Sequence, residues 1–404
     1  MISVQEALDH VLAAARPLPF ERVMVSQAGG RVLAQDVTSQ RVLPPNDVSM
    51  RDGYAVRAAD LAAAGADRPV RLRVMARSEA GHPAAIPIGE GEAARIMTGA
   101  AVPEGADAVV MQEQTRAEGA EVVVLTSAAP GGYVRPRGSE IRDGELAFAR
   151  GSLLSPAAIA QLAELGRSVV QVHQRPRVAL LATGDELCEI DEAPAGRIVD
   201  SNTWGLAAMV EAAGGIPVRQ PVAADDRAGV VRAIEAAARC DVLVTSAGVS
   251  VGERDFVKEA LADQGVTQVF WRVAIRPGKP IYFGTRGTQL VFGLPGNPTS
   301  GMVCFEQFVR PALLALQGRR QVVRPRVRAR LERPVSKEKG FTSFVRASTR
   351  VEDGRLVTAP VDRQDSGLVS SMALANSLIV VEPERERVEA GEELFVLPLD
   401  GMLG

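Results

Sequence analysis

Cysteine is nearly absent from this chain of 404 residues: Cys188, Cys240 and Cys304 stand far apart, with no pair at Cys-x-x-Cys spacing. That excludes a disulfide framework and a cysteine-based structural zinc site, and leaves three small buried apolar residues. Histidine is as scarce. His10, His82 and His173 share no motif, so neither a catalytic triad nor an imidazole-ligated metal is expected. Positive charge is not in excess either: 46 Lys and Arg against 49 Asp and Glu leave a net charge of −3, no surface for a polyanion, and nucleic acid is not expected as a partner. No stretch approaches the roughly 20 apolar residues of a membrane span, and the opening run from Met1 to Ala15 carries Glu6 and Asp9, unlike a secretory signal. The expectation is a cytoplasmic protein without a membrane partner. Its chemistry must rest on carboxylates, hydroxyls, Lys and Arg, and backbone amides.

What the chain does have is a change of texture along its length, with no fixed-period repeat. Val4, Leu8, Val11 and Leu12 follow a helical period behind Ser3, a plausible N-cap. From about residue 46 to 137, short β-rich runs such as Val70–Val74, Ala108–Met111 and Glu121–Leu125 alternate with Gly/Pro turns. Ser155–Leu165 reads as a further short helix that packs with the amino-terminal segment. From about 175 to 320 the pattern becomes strand, loop, helix, repeated: Asp200-Ser201-Asn202 supplies caps for a helix through Ala213, Arg227–Arg239 gives another, and Ser300–Leu316 a third that Pro311 is expected to kink or end early. Beyond Arg320 the runs are short and β-like again, with a turn at Glu352-Asp353-Gly354. The fold class expected is α/β plus β: a doubly wound, mostly parallel α/β domain (175–322), an inserted β domain (46–137), a small discontinuous amino-terminal domain (1–45 with 138–174) and a carboxy-terminal all-β domain (323–404).

Three strand-like runs in the α/β segment each break into a loop with polar groups. Arg177–Ala182 leads into Thr183-Gly184-Asp185-Glu186, Asp241–Thr245 into Ser246–Gly252, and Leu290–Gly293 into Leu294-Pro295-Gly296-Asn297-Pro298. Ligands of open α/β sheets sit at the carboxyl ends of parallel strands, so these loops should converge. In the middle loop Gly248 and Gly252 let the backbone approach an anion and Ser246 and Ser250 can donate to it, while Asp255 beyond is placed to hold a hard cation. Asp225-Asp226 reads equally as a site or as the start of a helix. Arg272, Arg276 and Lys279 fall within eight residues, and in an extended segment Arg272 and Arg276 share a side, which suits an oxyanion clamp; a solvated strand edge is the other reading. Asn297 and the two prolines around it would set the next helix against the same crevice.

Taken together the motifs resemble the molybdopterin molybdenumtransferase (molybdenum insertase) family, which includes the carboxy-terminal domain of gephyrin. The pieces are Leu43-Pro44-Pro45, Asp52–Val56, Arg95–Ala100, Thr183–Leu187, Ser246–Gly252, Arg276–Pro280 and Leu294–Pro298, in the family's order and across nearly the whole chain. The resemblance implies a reaction of adenylylated molybdopterin with molybdate that yields molybdenum cofactor and AMP, assisted by Mg²⁺. It implies an elongated homodimer with a composite active site, and molybdopterin adenylyltransferase and molybdoenzyme maturation proteins as further partners. Carried onto matching positions, catalytic roles fall to Asp52, Thr98, Glu186, Asp226 and Asp255, the last three as metal ligands. Substrate contacts fall to Glu140, Arg272, Arg276, Lys279, Pro295, Pro298 and Ser366, to which the loop readings add Ser246, Gly248, Ser250 and Asn297. Five positions depart from the family habit: Arg51 for Met, Ala247 for the first Gly of a Gly-Gly pair, Arg272 and Arg276 for frequent lysines, and Glu140 for a frequent Asp.

Two other functions fit parts of the pattern. An adenylyltransferase acting one step upstream shares the α/β domain but needs neither the Asp52 and Thr98 region nor the carboxy-terminal one. A non-catalytic scaffold needs no clustered acids, which repel one another at a cost in stability.

Overall fold

The computed structural model describes residues 1–192, 196–224, 226–248 and 256–399, with Phe256 described in its backbone alone. Its contacts divide the chain into two compact units, one of Met1–Ala34, Gly151–Ile159 and Val169–Gly404, the other of Gln35–Arg150 and Ala160–Ser168.

The first unit contains a six-stranded sheet in the order Ile216–Arg219, Arg177–Ala182, Val242–Ser246, Gln289–Leu294, Tyr282–Arg286, Thr267–Trp271. The first four strands run parallel and the last two pair antiparallel. Alternation along the central strands explains why both faces are covered. Val178, Leu180, Val242, Val244, Leu290 and Phe292 enter one core with the Ser201–Ala212 helix and the helical run from Pro298 to Leu316. Ala179, Leu181, Leu243 and Val291 enter the other, with Val230 and Ile234 of the Arg227–Ala236 helix and Ala260 and Leu261 of the Phe256–Asp263 helix. A strand apolar on both sides needs helices on both sides, and the doubly wound sheet follows. The Val4–Ala14 helix carries the capping box of Ser3 and Glu6 and buries Ala7, Leu8 and Val11 against the first core.

Pro311 does not end its helix. A π-helical turn over Phe305–Val309 precedes Arg310–Leu316, and the wider turn shifts the hydrogen-bond register just where Pro311 offers no N–H. Asp200, of the three cap candidates, caps the Ser201–Ala212 helix, accepting from Thr203 N at 3.1 Å, and Asn202 lies inside the first turn.

Carboxy-terminal to the helices, the strands Thr342–Glu352, Arg355–Pro360, Val327–Leu331, Glu393–Pro398 and Ser377–Val381 close on one another as a small barrel. Closure removes free edges except where Ile275–Arg276 pairs in parallel with Thr342–Ser343. One helical turn, Val369–Ala373, interrupts the β structure.

The second unit is built on a six-stranded sheet in the order Ala108–Met111, Gly53–Val56, Glu92–Ile96, Val70–Ser78, Glu121–Val124, Thr115–Glu118. Its core, with Tyr54, Val56, Leu72, Ala93, Val110, Val122 and Val124, uses alternate residues of these strands. No helix among the described residues is long and apolar enough to cross a membrane.

Candidate functional site

The loops after the parallel strands meet. Strand Val242–Ser246 lies between Arg177–Ala182 and Gln289–Leu294, so the loops leaving all three start side by side. Thr183 bridges Ala223, three residues before each of Glu186 and Asp226. Glu186 is exposed, and its carboxylate folds over Gly184, where a Cβ would lie 2.7 Å from Oε1. Asp226 caps the Arg227–Ala236 helix, its Oδ1 accepting from Gly229 N at 2.6 Å. The helix-start reading of Asp226 is therefore realised by one of its oxygens. Ser250 and Asp255 lie outside the described residues. Among the described residues no group of three His, Cys, Asp or Glu side chains is placed to hold a metal. The donor chemistry at the strand ends, carboxylate oxygen, is nevertheless what Mg²⁺ takes from proteins, usually from one or two side chains.

Ser246 ends its strand buried, and its Oγ accepts from Asn202 Nδ2 at 2.8 Å. Ala247 follows at φ 85°, a left-handed conformation that a side chain resists, and Gly248 at 76°. A Cβ on Gly248 would meet Val257 Cγ2 at 2.1 Å, so this turn needs glycine there for packing as well as for φ. Ala247 N donates to Leu294 O at 3.1 Å, and a Cβ on Gly296 would come within 3.2 Å of that of Ala247. The Ser246 and Leu294–Pro298 loops are thus packed on each other.

On its other side the Leu294–Pro298 loop faces a cleft of about 900 Å³ shared with the carboxy-terminal barrel. Arg276, Lys279, Pro295, Asn297 and Ser366, all expected site residues, line it. Asn297 Nδ2 donates to Ser366 Oγ at 2.9 Å, and Thr299, behind Pro298 at the helix start, donates from N (3.1 Å) and Oγ1 (2.7 Å) to Ser366 O. Arg276 is exposed, pairs with Glu338 and stacks its guanidinium 4.9 Å from the Phe341 ring; Lys279 approaches the same ring at 5.5 Å.

Arg272 is not on that side. The run from Arg272 to Arg276 is not extended: Arg272 has φ 71°, Val273 N turns back to Lys279 O at 3.2 Å, and Arg272 stacks on Trp271 at 3.9 Å. Period-two alternation does not apply to such a segment, which corrects the premise of a two-arginine clamp.

Arg346 was not singled out by its sequence context, yet it is 1 % exposed and lines the cleft. Its NH1 donates to Thr299 Oγ1 at 3.4 Å and its NH2 to Asp365 O at 3.3 Å, while Nε has no partner among the described residues. Burial pulls its pKa below the usual guanidinium range, with Asp365 opposing. A buried cation bonded to neutral oxygens retains unspent attraction for an anion. The only signal in the sequence is a lone Arg inside the apolar run Phe344-Val345-Arg346-Ala347.

In the second unit, Asp52 Oδ1 accepts from both the backbone N and Oγ1 of Thr98, each at 2.7 Å. These bonds hold the Asp52 carboxyl below its ordinary range, with a smaller contribution from Arg95. Glu140 pairs with Arg135 at 2.6 Å.

The fold and these loops define a multi-domain protein in which a mixed α/β domain with ligand loops at its strand ends is followed by a barrel-like β domain. Family profiles place its relatives more closely: residues 2–166 match the MoeA N-terminal region (domain I and II), 179–315 a probable molybdopterin binding domain, and 328–399 the MoeA C-terminal region (domain IV). The molybdopterin molybdenumtransferase of Haemophilus influenzae is 35 % identical over 413 residues, covering 100 % of both chains, and that of Bacillus subtilis 34 % over 402 residues, covering 98 % of this chain and 94 % of its own. The crystal structure of the molybdopterin biosynthesis moeA protein from Pyrococcus horikoshii superposes with a TM-score of 0.86 at 30 % identity, covering 98 % of this chain and 100 % of that one. The chain belongs to the molybdopterin molybdenumtransferase family, and it is a transferase.

Proposed function

We propose that this protein inserts molybdenum from molybdate into adenylylated molybdopterin, releasing AMP and molybdenum cofactor with the assistance of Mg²⁺. The observation that carries the reading is the cleft beside the Leu294–Pro298 loop, where Arg346 is buried with an unpartnered Nε and Lys279 and Arg276 stand at the rim. A compact oxyanion such as molybdate needs converging charged donors, and this cleft brings one buried guanidinium and two exposed cations together. Its position against the packed Ser246 and Leu294–Pro298 loops supports a pterin nucleotide bound along the strand ends, with backbone amides and Ser246 toward its anionic groups. Glu186 and Asp226 would hold Mg²⁺ there, with Asp255 the third carboxylate assigned by resemblance. The cation, when bound, would neutralise charge on phosphate oxygens as AMP leaves. Asp52 and Thr98 are assigned to the same reaction in a homodimer that pools residues from two copies of the chain.

Purified protein should release AMP from adenylylated molybdopterin only when molybdate and Mg²⁺ are both present. Formation of adenylylated product from ATP and bare pterin would instead place the chain one step upstream, and no turnover in either assay would favour a scaffold. For the homodimer, mixing inactive Asp52→Ala and Glu186→Ala subunits should restore part of the activity; absence of rescue counts against pooled residues.

A further inference from the structure

We infer that Asn202 is a positioning residue that sets the spacing between the two strand-end loops of the site, an inference that rests on the reading above. Asn202 lies in the first turn of the Ser201–Ala212 helix, outside every motif that marks the site, and is only partly exposed. Its Nδ2 carries two protons and both are committed: one to Ser246 Oγ at 2.8 Å, the other to Gly296 O at 2.7 Å. Ser246 ends the strand that opens the anion loop, and Gly296 stands in the middle of the Leu294–Pro298 loop that borders the cleft. One amide therefore ties together the loops assigned to the pterin nucleotide and to the oxyanion. The ladder pair Ser246–Leu294 and the bond from Ala247 N to Leu294 O fix where the two loops start, and the Asn202 amide ties the next step, at Gly296.

The cost of this tie is visible. Asn202 Oδ1 is buried and has no hydrogen-bond partner among the described residues. Turning the amide over would give Oδ1 a donor only by aiming an acceptor at the Gly296 carbonyl, so the observed orientation leaves one acceptor bare in order to keep both donors engaged. A helix cap is not the explanation, because Asp200 fills that role. An unsatisfied buried acceptor that persists at the junction of two ligand loops is the mark of a group retained for geometry.

The test is steady-state AMP release with adenylylated molybdopterin, molybdate and Mg²⁺, read as kcat and KM separately and alongside the thermal midpoint. Asn202→Asp keeps the shape of the side chain but replaces both donors with acceptors facing Gly296 O and Ser246 Oγ. It should lower kcat by about a hundredfold, the order expected of an ångström-scale misplacement, with KM within about threefold; the partly buried carboxylate also lowers the midpoint, so the midpoint is judged on Asn202→Ala. Asn202→Ala should act in the same direction. Wild-type turnover with unchanged kcat in Asn202→Asp overturns the inference while leaving the proposed function standing. A kcat loss matched by a collapse of the midpoint in Asn202→Ala reduces the residue to a structural one and overturns the inference. A wild-type protein that releases no AMP sinks the proposed function and the inference together.

Discussion

The α/β domain and the barrel of the first unit treat charge in opposite ways. On the α/β side Glu186 stands exposed on a loop that follows a buried strand, and Asp226 sits at a helix start with one oxygen satisfied by a backbone amide. On the barrel side Arg346 occupies the interior of a strand, fully buried, with hydrogen bonds to neutral oxygens and an unpartnered Nε. A charge on a loop keeps its water and costs the fold little. A guanidinium taken out of water without a close counter-ion costs several kcal/mol in general, so the barrel side gives up stability that the α/β side does not. The contrast teaches that chemistry here is placed both where it is easy and where it is expensive, and that the expensive placement is the more informative one.

The sharpest break in the comparison would come from the exposed side. Glu186→Ala should lower turnover by about 10²- to 10⁴-fold, the range for loss of a group acting directly on the reaction, without moving the thermal midpoint, because the Glu186 side chain is exposed. Parallel loss of activity and midpoint, followed by calorimetry and AMP release, would make Glu186 a structural carboxylate.

Arg276 stands between the two extremes, charged and exposed but paired with Glu338. If it holds the oxyanion, Arg276→Ala should weaken molybdate binding by about 1.5–3 kcal/mol, the worth of hydrogen bonds to a charged group, and Arg276→Lys by less, since lysine keeps the charge and loses only the planar fork. Unchanged affinity in a calorimetric titration would leave Arg276 to its surface ion pair, which is worth little.

The fold of the α/β side is legible in the sequence because its strands are apolar on both faces and its loops begin with Thr183-Gly184 or contain Pro295 and Pro298, which punctuate the chain. Glu186, Pro295, Asn297 and Pro298, all expected site residues, stand on those loops. The barrel side is not legible in the same way. Arg346 shares its face of the strand with Phe344, opposite Val345 and Ala347 of the barrel core, and is buried because Thr299 and Asp365 pack over that face, which a local reading of the strand does not show. Arg272 fails for the opposite reason: alternation is assumed where φ of 71° breaks it. Asn202 hides behind Asp200, because sequence offers both as caps and cannot show which amide reaches Ser246 and Gly296.

A smaller effect concerns Ala247, held at φ 85° where glycine is free to go. Ala247→Gly should stabilise the protein by about 1 kcal/mol, the strain of a left-handed alanine less the entropy that glycine adds to the unfolded chain. A midpoint that falls instead would mean the Ala247 methyl packs on Gly296 usefully enough to outweigh the strain.

The smallest expected effect is in the second unit. Thr98 lowers the Asp52 pKa in the folded state, so this pair contributes stability above the ordinary carboxylate range that disappears as pH falls through the depressed folded value. Thr98→Val removes one of the two bonds to Asp52, and the carboxyl should then titrate at higher pH by carbon-detected NMR, with acid unfolding beginning slightly earlier. An unmoved titration would mean the backbone N–H of Thr98 suffices alone.

The most direct test of the account is a calorimetric titration with molybdate of the wild-type protein and Arg346→Met. Methionine fills much of the same volume without a charge, so the fold should be kept or made more stable while molybdate binding weakens by about 1.5–3 kcal/mol. Equal molybdate affinity in the two proteins would contradict the claim that this buried guanidinium is there for the oxyanion.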